Sequence, residues 1–343
     1  MVLSFFTMLT LVACQGKIVQ NRYSADYLEL FNTVSRVIGY AKNEEEFQKQ
    51  SEFIHSRLKF YHEQYNAFEG YDHLNNIYTI NENAGIGPVK VDDSIIDMLE
   101  YGQEVYEETG GRVNILMGSV TFLWHNYRGR YQYEEETSLP SKGELQEAIL
   151  HTDIDNLVLD RIKGTAFLKD KDARLDVGAI AKGYAAQRVA DEGRGQGIEH
   201  MLMSIGGNVV AIGSKLNDKG EEESWQVGVQ NPDPKSQEAI TPSLGLIDMA
   251  LVSSGDYERY YIHKGEVYAH IIDPKTLFPP RQFREVTILA KDSGKADAYS
   301  TALFIMSLEE GKEFIRQKDA EAMWVLAGGT VEYSEGFRSY EKP

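Results

Sequence analysis

The segment LDVGAIAKGYAA, residues 175–186, joins an apolar, strand-like start to a helix of small residues. Gly178 allows a sharp turn, and Lys182 then lies in the first turn of the helix. A helix start carries partial positive charge, so a lysine there is unfavourable unless an anion lies beside it. The segment therefore predicts either an anion-binding helix start or a tightly packed core helix with a solvated lysine.

The segments on both sides are short strands separated by turn signals. HMLMSIGGNVVAIG (200–213) and EVTILA (285–290) have strand-like patterns, and YYIHKGEVYAHIIDP (260–274) has that of a hairpin turning at Lys264 and Gly265. Helical spacing follows Asn43, and another helix begins at Asp92 and Asp93. This mixture predicts an α+β fold of largely antiparallel sheets with packed helices, not a doubly wound parallel sheet.

The charge of the chain limits its partners. Its 343 residues carry a formal net charge of −18, and the isoelectric point is near 4.9. Nucleic-acid binding needs a basic surface, so a polyanion partner is excluded. A nucleotide is not excluded, because backbone amides, one lysine or a metal ion can bind a phosphate locally.

The N-terminus has the pattern of a targeting signal. MVLSFFTMLTLVACQG places an apolar run before small residues and Cys14, the only cysteine of the chain. The run is too short to span a bilayer, and it resembles a bacterial lipoprotein signal with Cys14 as the lipidated residue. We expect a signal peptide over 1–14, a polar tether over 15–26 and one domain over 27–343. The alternative is a buried N-terminal strand with an incidental cysteine.

Two further segments carry candidate binding residues. SIGGNVVAIG (204–213) places Gly206 and Gly207 after an apolar strand, where they would admit a flat ring or a phosphate, or simply form a hairpin turn. ADAYSTALF (296–304) has Asp297 and Thr301 four residues apart, so both would lie on one side of a helix. A carboxylate and a hydroxyl are hard oxygen ligands suited to Mg²⁺, although a helix-start aspartate and a core threonine would give the same pattern.

Two strand ends carry the remaining candidates. His270 shares an alternating pattern with Tyr268 and Ile272, which predicts either a core histidine or a general base. In SSGDYERYY (253–261), the residues Ser254, Gly255 and Asp256 would form either an ordinary turn or a phosphate-binding loop.

Together these motifs identify a family. In this order, LDVGAIAKGYAA, SIGGNVVAIG, SSGDYERYY, HIIDPKT and ADAYSTALF resemble the ApbE family of FAD:protein FMN transferases. The upstream segments FNTVSRVIGYA and GGRVNILMGSVTFLWHNYR are similar to the family's N-terminal blocks, so the resemblance spans about residues 27–317. It implies an ApbE-like, T-fold-like catalytic domain, and lipoprotein starts are common in the family.

The resemblance also implies a reaction. Family members use Mg²⁺ to transfer the FMN half of FAD to a threonine hydroxyl of an acceptor protein, and AMP is released. The acceptors are typically subunits of membrane redox complexes, such as sodium-pumping quinone reductases. With a lipid anchor at Cys14, the enzyme would lie on the extracytoplasmic face of a bacterial membrane and act in trans.

By its motifs, the resemblance assigns roles to residues of this chain. Asp297, Thr301 and the backbone carbonyl of Ala179 would bind Mg²⁺, and Lys182 would lie beside the FAD pyrophosphate and help AMP leave. His270 would be the general base for the threonine hydroxyl and would contact the cofactor. The flavin and phosphate channel would be lined by Gly206, Gly207, Ser254, Gly255 and Asp256, with Tyr71 or Tyr78 stacked on adenine.

Two other functions fit the same motifs. One is a magnesium-dependent FAD pyrophosphatase that gives FMN and AMP, and the other is a lipid-anchored flavin-binding protein without turnover. The chain also departs from the family pattern at three positions: Leu277 stands where glycine is common, Gln187 where many members carry an acid, and Asn114 where aspartate is frequent. None of the three is a proposed metal ligand.

Overall fold

The computed structural model of the protein describes residues 20–131, 138–233, 236, 240–257 and 259–342. Its helices are α1 Glu44–Tyr65, α2 Ile77–Glu82, α3 Asp93–Glu108, α4 Gly118–Tyr131, α5 Lys142–Ala148, α6 Ala181–Gly195, α7 Ser293–Ile305 and α8 Leu308–Ile315. Its strands are β1 Asn21–Tyr27, β2 Ser35–Ala41, β3 Val89–Lys90, β4 Leu157–Asp160, β5 Thr165–Leu168, β6 Met201–Ile205, β7 Asn208–Ile212, β8 Lys215–Leu216, β9 Glu222–Glu223, β10 Trp225–Val227, β11 Leu244–Leu246, β12 Ala250–Gly255, β13 Tyr260–His263, β14 Glu266–Ala269, β15 Phe283–Ala290, β16 Ala320–Leu326 and β17 Val331–Tyr333.

The main sheet has eight strands in the order β1-β2-β6-β7-β12-β15-β16-β17. Every neighbouring pair is antiparallel. The smaller sheets are β3-β5-β4 and the two-stranded pairs β10-β11, β13-β14 and β8-β9. The predicted α+β class with largely antiparallel sheets is confirmed.

Both faces of the central strands are buried. On β12, Ala250 and Val252 belong to the large core shared with α1, α6 and α7, whereas Leu251 belongs to a second core on the opposite face. That second core is closed by the β10-β11 pair and by the C-terminal turn at Phe337–Tyr340, where the ring of Phe337 is fully buried. Alternate residues of a strand thus serve two different layers.

Helix starts follow the local capping signals. Asn43 accepts from the Glu46 N–H at the start of α1, Asp92 from Ser94 at α3, and Ser141 from Glu144 at α5. These side chains satisfy amides that otherwise have no helical partner. The helices expected after Asn43 and at Asp92 are confirmed.

The predicted tether over 15–26 is wrong for its last part. Residues 21–26 belong to β1, which pairs in register with all seven residues of β2. Tyr23 stacks on Phe47 with ring centroids 5.4 Å apart, and the Tyr27 ring stacks on His55 at 4.2 Å. These contacts with α1 fix the edge strand, so the domain begins near residue 21 and not at 27. The signal peptide over 1–14, Cys14 and residues 15–19 lie outside the described residues.

Two smaller predictions also need correction. Residues 175–177 form no strand, because Leu175 exchanges hydrogen bonds with the Asn81 side chain and the Asp176 N–H donates to the Ile115 carbonyl. Strand β14 ends at Ala269, so His270 lies just past the hairpin rather than within it. Among the described residues, no helix combines the length and the apolar character needed to cross a bilayer.

Candidate active site

The candidate site lies where the start of α6 meets α7. The Gly183 N–H donates to Oδ2 of Asp297 at 2.7 Å. A Cβ on Gly183 would lie 2.3 Å from the Ser293 carbonyl oxygen and 2.4 Å from Asp297 Cβ. Only glycine therefore lets the two helices approach closely enough for this contact. The small-residue helix predicted from 175–186 has this packing role.

Asp297 is a buried carboxylate at the edge of a cleft. Burial raises its pKa, whereas Lys182, the Gly183 N–H and the Asn208 amide lower it. Asn208 is itself fully buried, and neither polar atom of its amide has a partner with hydrogen-bond geometry. A buried carboxylate and an unsatisfied amide at one place indicate a polar or charged ligand that completes the site.

The donor set at this position fits a hard divalent cation. Asp297 and Thr301 both lie on α7, four residues apart, and both line the cleft together with Ala179. One Asp297 oxygen is held by Gly183, which leaves the second for a ligand. One carboxylate and one hydroxyl suit Mg²⁺, which usually completes its shell with waters and substrate phosphates.

Another cluster of potential metal ligands lies elsewhere on the surface. Within the described part of the chain, His151, Asp170 and Asp172 are the one group of three such side chains with ligand atoms within 4.8 Å of one another. His151 Nδ1 and Asp170 Oδ2 are 2.7 Å apart, and none of the three lines the cleft.

The cleft is cationic in a protein that is acidic overall. It encloses about 400 Å³, and its lining has four basic side chains against two carboxylates: Lys182, Arg112, Arg128 and Arg259 against Asp176 and Asp297. Burial lowers the pKa of Arg128, and the positive charge of Arg259 lowers it further. Like charges placed together in a partly buried site are unfavourable without an anion, so the cleft is suited to a phosphate-bearing ligand.

Lys182 lies between this cleft and a second cavity. Its Nζ donates to the Gly206 carbonyl at 3.2 Å. Gly206 and Gly207 form the two-residue turn between β6 and β7, with φ values of +51° and +89°, so the hairpin reading of this motif is confirmed. Both glycines also line the second cavity, of about 720 Å³. Together the two cavities provide room for an extended ligand.

His270 lines the cleft between the cationic side chains. Burial lowers its pKa to about 3, and Arg259, Arg128 and Lys182 contribute in the same direction. Its Nδ1 is buried and has no hydrogen-bond partner. His270 is therefore a neutral imidazole at physiological pH, with one ring nitrogen free for a proton.

The predicted loop 254–256 is only partly at the site. Ser254 lines the cleft, but Gly255 and Asp256 do not. Asp256 accepts a hydrogen bond from Arg284 Nε at 3.0 Å. Gly255 is buried at the end of β12, where a Cβ would lie 2.4 Å from the Tyr257 ring. The two residues shape the strand end and line neither cavity.

Sequence reasoning missed several cleft residues. The aromatic-rich segment 114–128, for which the sequence suggested no binding role, contributes Phe122 and Arg128 to the cleft lining. Phe68 stacks on Phe122 with centroids 4.8 Å apart and lines the same cleft. The expected aromatic, Tyr71, instead bonds Asn66 at 3.2 Å, and Tyr78 packs beside Gly70. The exposed Phe68 ring, half accessible to solvent, is a signal that only the structure gives.

The three departures from the family pattern have different roles. Gln187 accepts from the Ser293 N–H at 2.8 Å and so caps the start of α7. Asn114 lines the cleft and donates to the Thr152 carbonyl at 2.8 Å. Leu277 adopts a φ of +62°, which is the conformation that glycine favours.

An antiparallel sheet with helices on one face and a cationic cleft at a helix start defines an α+β protein that binds a phosphorylated ligand. The ApbE family model matches residues 31–324, so the chain belongs to the ApbE family. The family resemblance of the five motifs is thereby confirmed.

Similar proteins support this assignment. An FAD:protein FMN transferase from Klebsiella pneumoniae strain 342 is 30% identical over 252 residues, covering 73% of this chain and 74% of that protein. One from Treponema pallidum strain Nichols is 31% identical over 270 residues, covering 75% and 72%. The crystal structure of the ApbE protein from Thermotoga maritima MSB8 has a TM-score of 0.80 at 27% identity, covering 94% of this chain and all of that one.

Proposed function

We propose that this protein is an FAD:protein FMN transferase that uses Mg²⁺ and modifies a threonine of a separate acceptor. The observation that carries the proposal is the contact between Gly183 and Asp297, which places a carboxylate beside Lys182 at one end of a cationic cleft. Its relatives from Klebsiella and Treponema are FAD:protein FMN transferases.

The cations of the cleft would bind the FAD pyrophosphate. Phosphoryl transfer needs charge neutralisation and in-line placement more than covalent work by the protein. Lys182, Arg128 and Arg259 line one cleft and would spread the charge that develops on the pyrophosphate oxygens. Lys182 also reaches the Gly206 turn, so it would hold the phosphates at the junction of the two cavities.

His270 would take the proton of the incoming hydroxyl. The threonine oxygen forms a bond to the FMN phosphorus, the bond from that phosphorus to the AMP oxygen breaks, and AMP leaves. The hydroxyl proton passes to the imidazole. Burial, and then the positive charges around His270, hold its pKa low, and a bound pyrophosphate would offset those charges and make the ring a stronger base.

Asp297, Thr301 and the Ala179 carbonyl are the proposed Mg²⁺ ligands. Their support is the hard-oxygen donor set that lines the cleft, together with the buried Asn208 amide, which lies close enough to Asp297 to lower its pKa and has no partner of good hydrogen-bond geometry. The ion would neutralise charge on the bridging phosphates when bound.

The proposed location is the extracytoplasmic face of a membrane, with the enzyme anchored through lipidated Cys14. Support comes from the apolar run that ends in small residues before this cysteine. An anchored enzyme would meet acceptor subunits of membrane redox complexes there. Cys14→Ser is expected to move the protein from the membrane to the soluble fraction, and an unchanged distribution would contradict the anchor.

The function is tested by incubating the protein with FAD, Mg²⁺ and the soluble threonine-bearing domain of a sodium-pumping quinone reductase subunit. Mass spectrometry of the intact acceptor should show a gain of one FMN. FMN and AMP with an unmodified acceptor would support the pyrophosphatase, and unchanged FAD would support a binding protein. Asp297→Asn keeps the size of the side chain and serves as the inactive control, with folding checked by thermal melting.

A further inference from the structure

Two consecutive serines at the end of β12 line the cleft, and the hydroxyl of each contacts another hydroxyl. Ser253 Oγ lies 2.8 Å from Thr287 Oγ1, on the directly opposite residue of β15. Thr287 Oγ1 in turn donates to Oε1 of Glu285 at 2.8 Å, and Tyr257 donates to the other carboxylate oxygen at 2.9 Å. Glu285 is fully buried.

The direction of this chain follows from counting protons. Both Glu285 oxygens accept in this arrangement, Oε1 from Thr287 and Oε2 from Tyr257, so the single hydroxyl proton of Thr287 goes to Glu285. The contact between Ser253 and Thr287 then needs the proton of Ser253. Ser253 lines both cavities, so the group that it presents there is a pair of oxygen lone pairs.

Ser254 also donates its hydroxyl proton within the protein, to a different partner. Its Oγ lies 2.8 Å from Ser300 Oγ, and Ser300 donates to the backbone carbonyl of Asp297 at 2.8 Å. A carbonyl cannot donate, so the contact between the two serines uses the proton of Ser254. Ser254 therefore also offers lone pairs to the cleft that it lines.

We propose that Ser253 and Ser254 accept hydrogen bonds from N–H or O–H groups of the bound dinucleotide and do not contact its phosphates. Phosphate oxygens are themselves acceptors, and two oxygen lone pairs facing each other repel. The cations Lys182, Arg128 and Arg259 supply the phosphate contacts in the same cleft. The inference rests on the proposed function only in taking FAD as the ligand.

The cleft therefore divides into a donor side and an acceptor side, which would fix the direction in which FAD lies. The donor groups available on FAD are the ring N–H and ribityl hydroxyls of the FMN half, and the amine and ribose hydroxyls of the AMP half. If the serines bind donors of the FMN half, free FMN should compete through them. If they bind donors of the AMP half, ADP should do so.

The test is equilibrium binding of FAD at constant Mg²⁺, with FMN, ADP and inorganic pyrophosphate as competitors. Ser253→Ala and Ser254→Ala should each raise the Kd of FAD about fivefold, the effect of one lost hydrogen bond. The inhibition constant of inorganic pyrophosphate should stay within about twofold, because pyrophosphate has no donor group for the serines. If the serine variants raise the inhibition constant of FMN as they raise the Kd of FAD, the serines bind the FMN half. The same rise for ADP shows that they bind the AMP half.

A structural role for the serines is separated by variants of Thr287. Thr287→Val removes the acceptor of the Ser253 proton and should weaken FAD binding, whereas Thr287→Ser restores that acceptor and should restore binding. Ser56→Ala, at an exposed site on α1, is the surface control. The proposal is overturned if the serine variants bind FAD as the wild type does, or if they weaken pyrophosphate as much as FAD. Neither readout requires FMN transfer, so failure of the transferase assay is a separate result.

Discussion

The lowered pKa of His270 makes the free energy of unfolding depend on pH. Its pKa is lowered to about 3 from 6.5 by burial and neighbouring cations. Between these values the unfolded chain binds a proton that the folded protein does not. The contribution of His270 is therefore fully present above about pH 6.5 and is lost as the pH falls toward 3.

His270→Asn should remove this acid sensitivity. The melting temperature of the wild type should fall more between pH about 7.5 and about 5 than that of the variant. His73→Asn, at an exposed position, serves as the control and should follow the wild type. Equal losses in His270→Asn and the wild type would contradict a depressed histidine pKa.

Leu277 pays a conformational penalty at its positive φ. Its carbonyl accepts from Trp124 Nε1 at 2.9 Å, which holds the backbone in place. Leu277→Ala and Leu277→Gly both lose the side chain, but only glycine is free of the left-handed strain. The glycine variant should be more stable to urea than the alanine variant by about 1 kcal/mol. An alanine variant of equal or greater stability would show that this backbone is not strained.

The site was predictable at the residue scale where chemistry and local spacing coincide. Asp297 and Thr301 are four apart in a helical pattern, and the structure confirms the helix and their shared cleft. Arg128 and Arg259 were not predicted, because their place in the cleft depends on tertiary contacts with distant residues. Ser253 was not predicted, because only the structure shows that it lines the cleft beside Ser254.

At the scale of elements, the packing of α6 against α7 depends on Gly183. Gly183→Ala would push a methyl group against the backbone of Ser293, which cannot move cheaply. We expect a loss of about 1–3 kcal/mol in the free energy of unfolding, together with weaker FAD binding.

Gly195→Ala is the matched control in the same helix, since nothing lies within 4 Å of the added Cβ. It should be neutral or slightly stabilising, by up to about 1 kcal/mol. Chemical denaturation of the two variants measures the difference. Equal stability of Gly183→Ala and Gly195→Ala would show that the two helices can separate without cost.

Element boundaries were predictable where a local signal sets them. The caps Asn43, Asp92 and Ser141 each satisfy amides within three residues, so the sequence alone identifies these helix starts. Strand β1 has no such signal. Its stability comes from pairing with β2 and from stacking of Tyr23 and Tyr27 on α1, which are non-local contacts.

At the scale of the whole molecule, β1 is the edge strand that completes the main sheet. A chain that begins at Asn21 should melt at the same temperature as one that begins at Gln20. A chain that begins at Leu28 loses all seven β1 pairs, exposes the edge of β2 and should melt several degrees lower and aggregate more readily. If the chain starting at Leu28 melts as the longer one does, β1 is a dispensable tether after all.

The order of strands in the sheet was beyond the sequence patterns. Alternation identified many strands, but β2 at 35–41 pairs with β6 at 201–205 across more than half of the described chain. Such pairing is chosen by the common core and not by any local motif. The mixture of predicted helices and strands was enough to predict the α+β class. It was not enough to predict the order of strands in the sheet.

We propose above all that Asp297 and Thr301 hold a divalent cation beside the FAD pyrophosphate. A crystal of the protein grown with FAD and Mn²⁺ as a stand-in for Mg²⁺ tests it through the anomalous scattering of manganese. The account predicts one strong peak within coordination distance of both side chains, with the pyrophosphate and Lys182 beside it. Bound FAD with no peak there, or manganese only at His151, Asp170 and Asp172, would contradict it.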